Sequence, residues 1–473
     1  MTIRSTMRAA VAATAIAALA LSCVSGPAPE KAEPQAKTER PTRAKFSRVE
    51  FGEKLSALLA KGEMDAALAL FDSLPQDQAG DPNLRALKLS VLISAGRLDE
   101  GTTLARELEA AYPTNPDVLY AQAVLAGVRG DRAARTGYLE RALKADPTNG
   151  MAMTGLGLDY YGQKNYPLAK TWLLKALAAE PGNVEALLGL ARVQYMQGDL
   201  EACGGTLALA IERDPSNSVL WAERARVKSE SNDLTGAVED VSKAVELDPS
   251  VYGHWADLGS YCISLGRQKE AAEAFTRAIE LDPNIYIAYV YRAGLNDDLG
   301  RREEAIADYR AAISLYPQYY FAFESLGVLL WETGDYASSA EAFEKALVWN
   351  PKNISYALMY TLCLYRQGKA DEAKRFMGKY ITTLDRTSTE YFLCRLFVDR
   401  SGDADVLNRI VKEKNMNKRN RMLFYSANFY ELFQSKAIAQ KYYYEILATP
   451  APSFFEYRLS KKAIKDLETK DAT

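Results

Sequence analysis

Eight prolines, Pro113, Pro147, Pro181, Pro215, Pro249, Pro283, Pro317 and Pro351, each stand 34 residues from the next. A strict period of that length marks stacked copies of one supersecondary unit and overrides any domain count taken from length. Around each proline the other columns keep step. Small residues recur at Ala169, Cys203, Ala237, Ala271, Ala305 and Ser339, and alanines seven later at Ala176, Ala210, Ala244, Ala278, Ala312 and Ala346. Large residues lie between them at Leu173, Leu207, Val241, Phe275, Tyr309 and Phe343. Apolar residues at helical spacing flank the glycines Gly198, Gly266, Gly300, Gly334 and Gly368, so each period predicts two amphipathic helices folded back across a turn. The proline then stops the second helix, since it has no N–H to donate and clashes with the preceding turn. Neither helix can bury its apolar face alone, so the units must stack. Extending the frame recovers units at Arg48, Pro82 and Ile354, for ten units over residues 48–387 of an all-α solenoid.

The columns resemble the tetratricopeptide repeat (TPR). The period from Tyr252 to Ile285 shows the pattern well, with Trp255, Leu258-Gly259, Ala271, Phe275, Ala278 and Pro283 in place. The resemblance implies a superhelix whose inner surface is lined by the first helix of each unit. Carried over position by position, that lining includes Tyr120, Tyr161, Leu188, Arg192, Tyr195, Arg226, Val290, Asp297, Phe321, Glu324, Val328, Trp331 and Tyr365. Aromatic residues in a groove anchor an extended peptide, although Tyr161, Tyr195 and Tyr365 also suit packing between repeats. Asp297, Asp298, Glu324 and Glu332 favour a basic or amine-bearing ligand at the far end. TPR units that clamp a chaperone's C-terminal carboxylate use a lysine and an asparagine on this face, where this chain has Ser260, Gly294 and Val328.

Two columns vary together. The seventh position of a unit is leucine at Leu156, Leu190, Leu258 and Leu326, but arginine at Arg224 and Arg292. Sixteen residues on, the leucine units have Trp172, Thr206, Ala274 and Ala342, and the arginine units Asp240 and Asp308. An arginine in that packed layer needs a partner for its charge, so Arg224–Asp240 and Arg292–Asp308 are predicted as structural ion pairs between the two helices.

Composition narrows the chemistry. Among 473 residues there is a single histidine, His254, which leaves no two-histidine metal site and no catalytic triad elsewhere in the chain. It stands beside Trp255 near the start of a first helix, as a surface or partly packed side chain. The cysteines Cys203, Cys262, Cys363 and Cys394 are too far apart for a CxxC pair and read as buried free thiols. A formal charge of -3 lacks the basic excess of a nucleic-acid binder. Arg129-Gly130-Asp131 falls on a repeat turn, where turn chemistry accounts for it. Gly155-Leu156-Gly157 lies inside a first helix with no strand before it, so it is no nucleotide loop.

The N-terminus reads as an export signal over residues 1–22: Arg4 and Arg8, then the uncharged run from Ala9 to Leu21, which is too short to span a bilayer. Leu19-Ala20-Leu21-Ser22-Cys23 resembles a lipoprotein lipobox of the tolerant spirochaetal kind, which implies lipid on Cys23; an ordinary secretory cleavage is the alternative. Four prolines and no apolar periodicity make residues 23–43 a tether. Beyond residue 388 an irregular helical cap is expected: one helix pair around Gly402, a basic loop from Lys412 to Arg421, two aromatic-rich helices and a short final helix. The resulting expectation is an envelope lipoprotein, exported and facing the periplasm or in the outer membrane. It would act without catalysis or cofactor as a scaffold for a protein or peptide partner. The alternative is a ligand-binding subunit working beside a solute transporter.

Overall fold

A computed structural model describes residues 46–449 and 454–471; the export segment, Cys23 and the tether lie outside the described residues. Among the described residues there are twenty-five α-helices and no strand. Contacts gather the chain into two compact units divided between Asp248 and Pro249, where the sequence frame runs on as one array.

The first unit holds six helix pairs: α1 (Arg48–Ala60) with α2 (Met64–Asp72), α3 (Pro82–Ser94) with α4 (Leu98–Ala111), α5 (Pro116–Arg129) with α6 (Arg132–Ala145), α7 (Gly150–Gly162) with α8 (Tyr166–Ala179), α9 (Val184–Met196) with α10 (Leu200–Arg213), and α11 (Ser218–Glu230) with α12 (Leu234–Leu247). The second continues with α13 (Tyr252–Ser264) and α14 (Gln268–Leu281), α15 (Tyr286–Asp298) and α16 (Arg302–Leu315), α17 (Tyr320–Glu332) and α18 (Tyr336–Trp349), and α19 (Ile354–Arg366) and α20 (Ala370–Tyr380). These pairs are repeats 1 to 10, and every first helix begins 34 residues after the last. Then follow α21 (Thr389–Asp399), α22 (Asp403–Val411), α23 (Met416–Phe433), α24 (Lys436–Leu447) and α25 (Phe455–Asp471). The basic segment from Lys412 is therefore loop only as far as Asn415, whose side chain accepts from the Lys418 N–H at 3.0 Å and starts α23. The last helix is 17 residues long, not a short cap.

The turn between the two helices of a repeat needs a left-handed residue, and the period supplies one each time. Gly62, Gly96, Gly130, Gly198, Gly266, Gly300, Gly334, Gly368 and Gly402 all have positive φ, and Lys164 (φ 60°) and Asn232 (φ 63°) fill the same column. The helices also touch closely: a Cβ on Gly259 would lie 2.7 Å from the Phe275 ring, so the small residue and the large one form a matched pair. Alanines of the two small columns, such as Ala169, Ala176, Ala271 and Ala278, are fully buried. Cys203, Cys262, Cys363 and Cys394 are free and buried, and burial pushes the Cys203 thiol up to about 11 and the Cys363 thiol up to about 12. His254 is buried as well, more deeply than its place at a helix start suggests.

Candidate partner-binding surfaces on the first helices

In the first unit, one exception to the repeat pattern, on the second helix α6, gathers polar side chains of α7 and α9. The small-residue column that holds Ala169, Cys203 and Ala237 holds Arg135 in repeat 3. Gly127, at the position where Tyr161 and Tyr195 stand in the next repeats, makes room for it: a Cβ there would lie 2.7 Å from an Arg135 guanidinium nitrogen. Arg135 Nε lies 2.8 Å from Asp159 Oδ1. Glu185 sits beside it in a hollow with Tyr120, Val124 and Leu139. Desolvation pushes the Glu185 carboxyl up to about 7, against the pull of Arg135 and Arg192. Sequence reasoning missed Arg135, Asp159 and Glu185; the signal was an arginine where every neighbouring repeat has a small residue.

Further along the same unit, Arg192 donates to Glu223 Oε1 at 3.0 Å, and Arg226 pairs with the other oxygen of Glu223. The Arg226 guanidinium lies 4.6 Å from the centre of the Tyr195 ring, whose hydroxyl lies 3.4 Å from Glu230. Arg226 is exposed and Tyr195 half-buried, whereas Tyr120 is buried and its hydroxyl pushed far up by desolvation. Tyr161 is half-buried and packs its ring 6.0 Å from that of Tyr166. The Arg224 fork grips Asp240 at 2.7 and 2.8 Å, and Lys228 adds a contact to the same carboxylate at 2.9 Å.

In the second unit, Arg292 grips Asp308 in the same way at 2.9 and 2.6 Å. Phe321 is 51% exposed. It stacks on Tyr320 at 4.2 Å and approaches Tyr319 at 5.7 Å, while Tyr286 lies 4.8 Å from Tyr316 and 5.6 Å from Tyr319. These five rings form one aromatic patch, its spacings those of favourable offset and tilted pairs. Glu324 is satisfied internally, accepting from the Tyr356 hydroxyl at 2.5 Å. Trp331 and Tyr365 are not offered as surface. Trp331 is buried edge-on against Tyr336 at 5.0 Å, and Tyr365 is buried against Phe433, donating to the Phe397 carbonyl at 2.5 Å. The C-terminal helices that bury Tyr365 fall outside the periodic frame, so the frame alone left it open. Asp297 and Glu332 do meet a cation, and it belongs to the chain itself: Arg458 of α25.

Tetratricopeptide repeat models match residues 160–227, and again residues 223–284, 295–354 and 325–374. These segments are TPR repeats, and the fold is an all-α solenoid of stacked helix-turn-helix units. No curated protein matches the chain. Among solved structures, the C-terminal part of a TPR repeat-containing protein from Cytophaga hutchinsonii is similar at 16% identity, covering 50% of this chain and 96% of its own, with a TM-score of 0.43. PilF of Pseudomonas aeruginosa is similar at 15% identity, covering 43% of this chain and 92% of its own, with a TM-score of 0.39. YrrB, described as a TPR protein with an unusual peptide-binding site, shares 20% identity over 38% of this chain and 93% of its own, with a TM-score of 0.36.

Proposed function

We propose that the protein is a non-catalytic TPR scaffold, exported to the bacterial envelope and held there by lipid on Cys23, which grips a protein or peptide partner through a concave groove lined by its first helices. The repeats support the coarser part of this reading, since TPR arrays serve protein–protein interaction. The observation that carries it is the aromatic patch of Tyr286, Tyr316, Tyr319, Tyr320 and Phe321. A cluster of rings with Phe321 half in water is a poor choice for solubility and a good anchor for a peptide. None of the described helices is long and apolar enough to cross a membrane, and attachment is assigned to the N-terminal cysteine.

A photo-crosslinking residue placed at Phe321 or Tyr195 in intact cells tests the groove. The expected outcome is one discrete protein adduct from each position; capture of only a small molecule supports the transporter-subunit alternative and rejects the scaffold. Labelled acyl precursor tests the anchor: label enters the wild-type chain and is lost in Cys23→Ala, and label retained in that variant rejects lipidation at Cys23.

A further inference from the structure

Three helices of the second unit begin at one cavity. Its volume is about 470 Å³, and its lining includes Asn353, Ile354 and Ser355 at the start of α19, Glu390 in the first turn of α21, and Asn415, Asn417 and Lys418 at the start of α23. The first turn of a helix carries N–H groups without partners inside the helix, and the positive end of its summed peptide dipoles. Lys352 and Arg421 add two full charges to this wall. The buried side chains of Leu358, Leu393 and Met422 supply the apolar part of the lining.

The chain does not balance these charges. Lys418 is committed, since its Nζ lies 2.7 Å from Glu390 Oε1 and 3.3 Å from Glu413 Oε2. That contact also uses Glu390, the carboxylate in the lining. Arg421 is left over. Its Nε stands 3.9 Å from Glu456 Oε2, beyond hydrogen-bond reach, and its guanidinium lies 5.5 Å from the centre of the Phe454 ring. Glu456 is satisfied without it, accepting from the Ser355 hydroxyl at 2.6 Å and from the Tyr425 hydroxyl at 2.8 Å, and burial pushes its carboxyl up toward the neutral form. Lys352 is exposed and makes no ion pair among the described residues. Two cations therefore remain in the wall of one cavity, in a chain whose formal charge is -3.

We propose that this cavity is a binding site for a phosphate monoester. Two unpaired cations call for a group with two negative charges, and near neutral pH a phosphate monoester carries about -1.5 to -2 where a carboxylate carries one. Arg421 and Lys352 donate to its oxygens and the helix starts favour its charge. Leu358, Leu393 and Met422 receive the organic part of the ester. The ester is a free small molecule or the headgroup of a lipid, and the chemistry at the cavity is the same for both. The site gives the basic segment from Lys412 to Arg421 its work: Lys418 ties α23 to α21, and Arg421 meets the ligand. It does not depend on a protein partner for the repeats.

Calorimetric titration of the purified full-length chain with glycerol 3-phosphate tests the site. One saturable site per chain is expected, weakened about tenfold by Lys352→Gln and about tenfold by Arg421→Gln, the loss of one charge-paired contact in each case. Lys345→Gln, which removes an exposed lysine from α18, should leave the affinity unchanged. Glycerate, with a carboxylate in place of the phosphate, should bind the wild type about tenfold more weakly or worse. Sedimentation with vesicles separates the two sources. Capture by phosphatidic acid but not phosphatidylcholine vesicles, lost when Lys352→Gln and Arg421→Gln are combined, assigns a lipid headgroup; binding of glycerol 3-phosphate without such capture assigns a free ester. No binding of either, binding indifferent to both substitutions, or glycerate binding as tightly as glycerol 3-phosphate overturns the proposal. Both substituted side chains are exposed, so an unchanged melting midpoint is expected of the variants, and the comparison of the two ligands needs no variant at all.

Discussion

The two units use one repeat frame and satisfy it differently. In the first unit the first helices start on their own caps: Asn115, Asn149, Asn183 and Asn217 each accept a backbone N–H of the turn that follows. In the second, Val251, Ile285 and Tyr319 occupy that column and make no side-chain cap, and only Asn353 restores it. Charges follow the same division. Arg192, Glu223 and Arg226 pair within neighbouring repeats of the first unit, while Asp297 and Glu332 are joined by Arg458, 161 and 126 residues further on. Local satisfaction leaves a surface open and tolerant; distant satisfaction closes it and ties its stability to the end of the chain.

The largest expected effect breaks the distant clamp. Arg458→Met leaves Asp297 without its cation and Glu332 with only Arg302, 3.7 Å away, and should cost about 2–4 kcal/mol in denaturant unfolding, whereas Arg226→Met, at an exposed pair, should cost less than about 1 kcal/mol. Equal losses would erase the contrast between the units. Next come the buried forks, which both units share. Asp240→Ala should cost about 3 kcal/mol, and more than Arg224→Leu with Asp240→Ala together, because the single change strands an arginine. Asp308→Ala and its double with Arg292→Leu should repeat the pattern; a double as costly as the single would reject the pairing.

A pH effect separates the units more finely. Glu185 is held at about 7, above the ordinary 4.5, so the folded chain binds that proton more tightly than the unfolded one. Stability is therefore lost as pH rises from 4.5 through 7. Glu185→Gln should gain about 1–2 kcal/mol above neutral pH and nothing below the ordinary carboxylate range, as read from unfolding midpoints across pH. A gain independent of pH would remove the carboxyl from this role. The smallest effect concerns capping. Val251→Asn should add about 0.5–1 kcal/mol to the second unit, and Asn183→Val should remove a similar amount from the first, both measured as melting shifts.

The fold was legible because its signal is redundant: prolines, glycines and alanines repeat the same message at every period. The covarying Arg224, Asp240, Arg292 and Asp308 were visible for a related reason, since neighbouring repeats act as controls for one another. Arg135 is visible by the same logic, as the one arginine in a column of small residues. Arg458 was beyond reach. Nothing local ties it to Asp297, and the helix that places it lies outside the frame. The acidic end suggested a basic or amine-bearing ligand, but Asp297 and Glu332 meet Arg458 of the chain itself and Glu324 accepts from Tyr356. Tyr365 failed as an exposed anchor for the same reason, since Phe397 and Phe433 beyond repeat 10 cover it, whereas Trp331 is buried against Tyr336 of its own repeat and Arg366 of the next.

Helix starts that recur without slippage have a genetic consequence. An in-frame loss or gain of one whole period joins identical columns, so repeats 3 to 6 offer recombination a seam that needs no new junction. Repeats 8 to 10 do not. α25 engages Asp297, Glu332 and Ser355 as a fixed set, and removing one period would leave Arg458 facing the wrong rung. The end of the chain thus works as a ruler, setting how many repeats the second unit can hold.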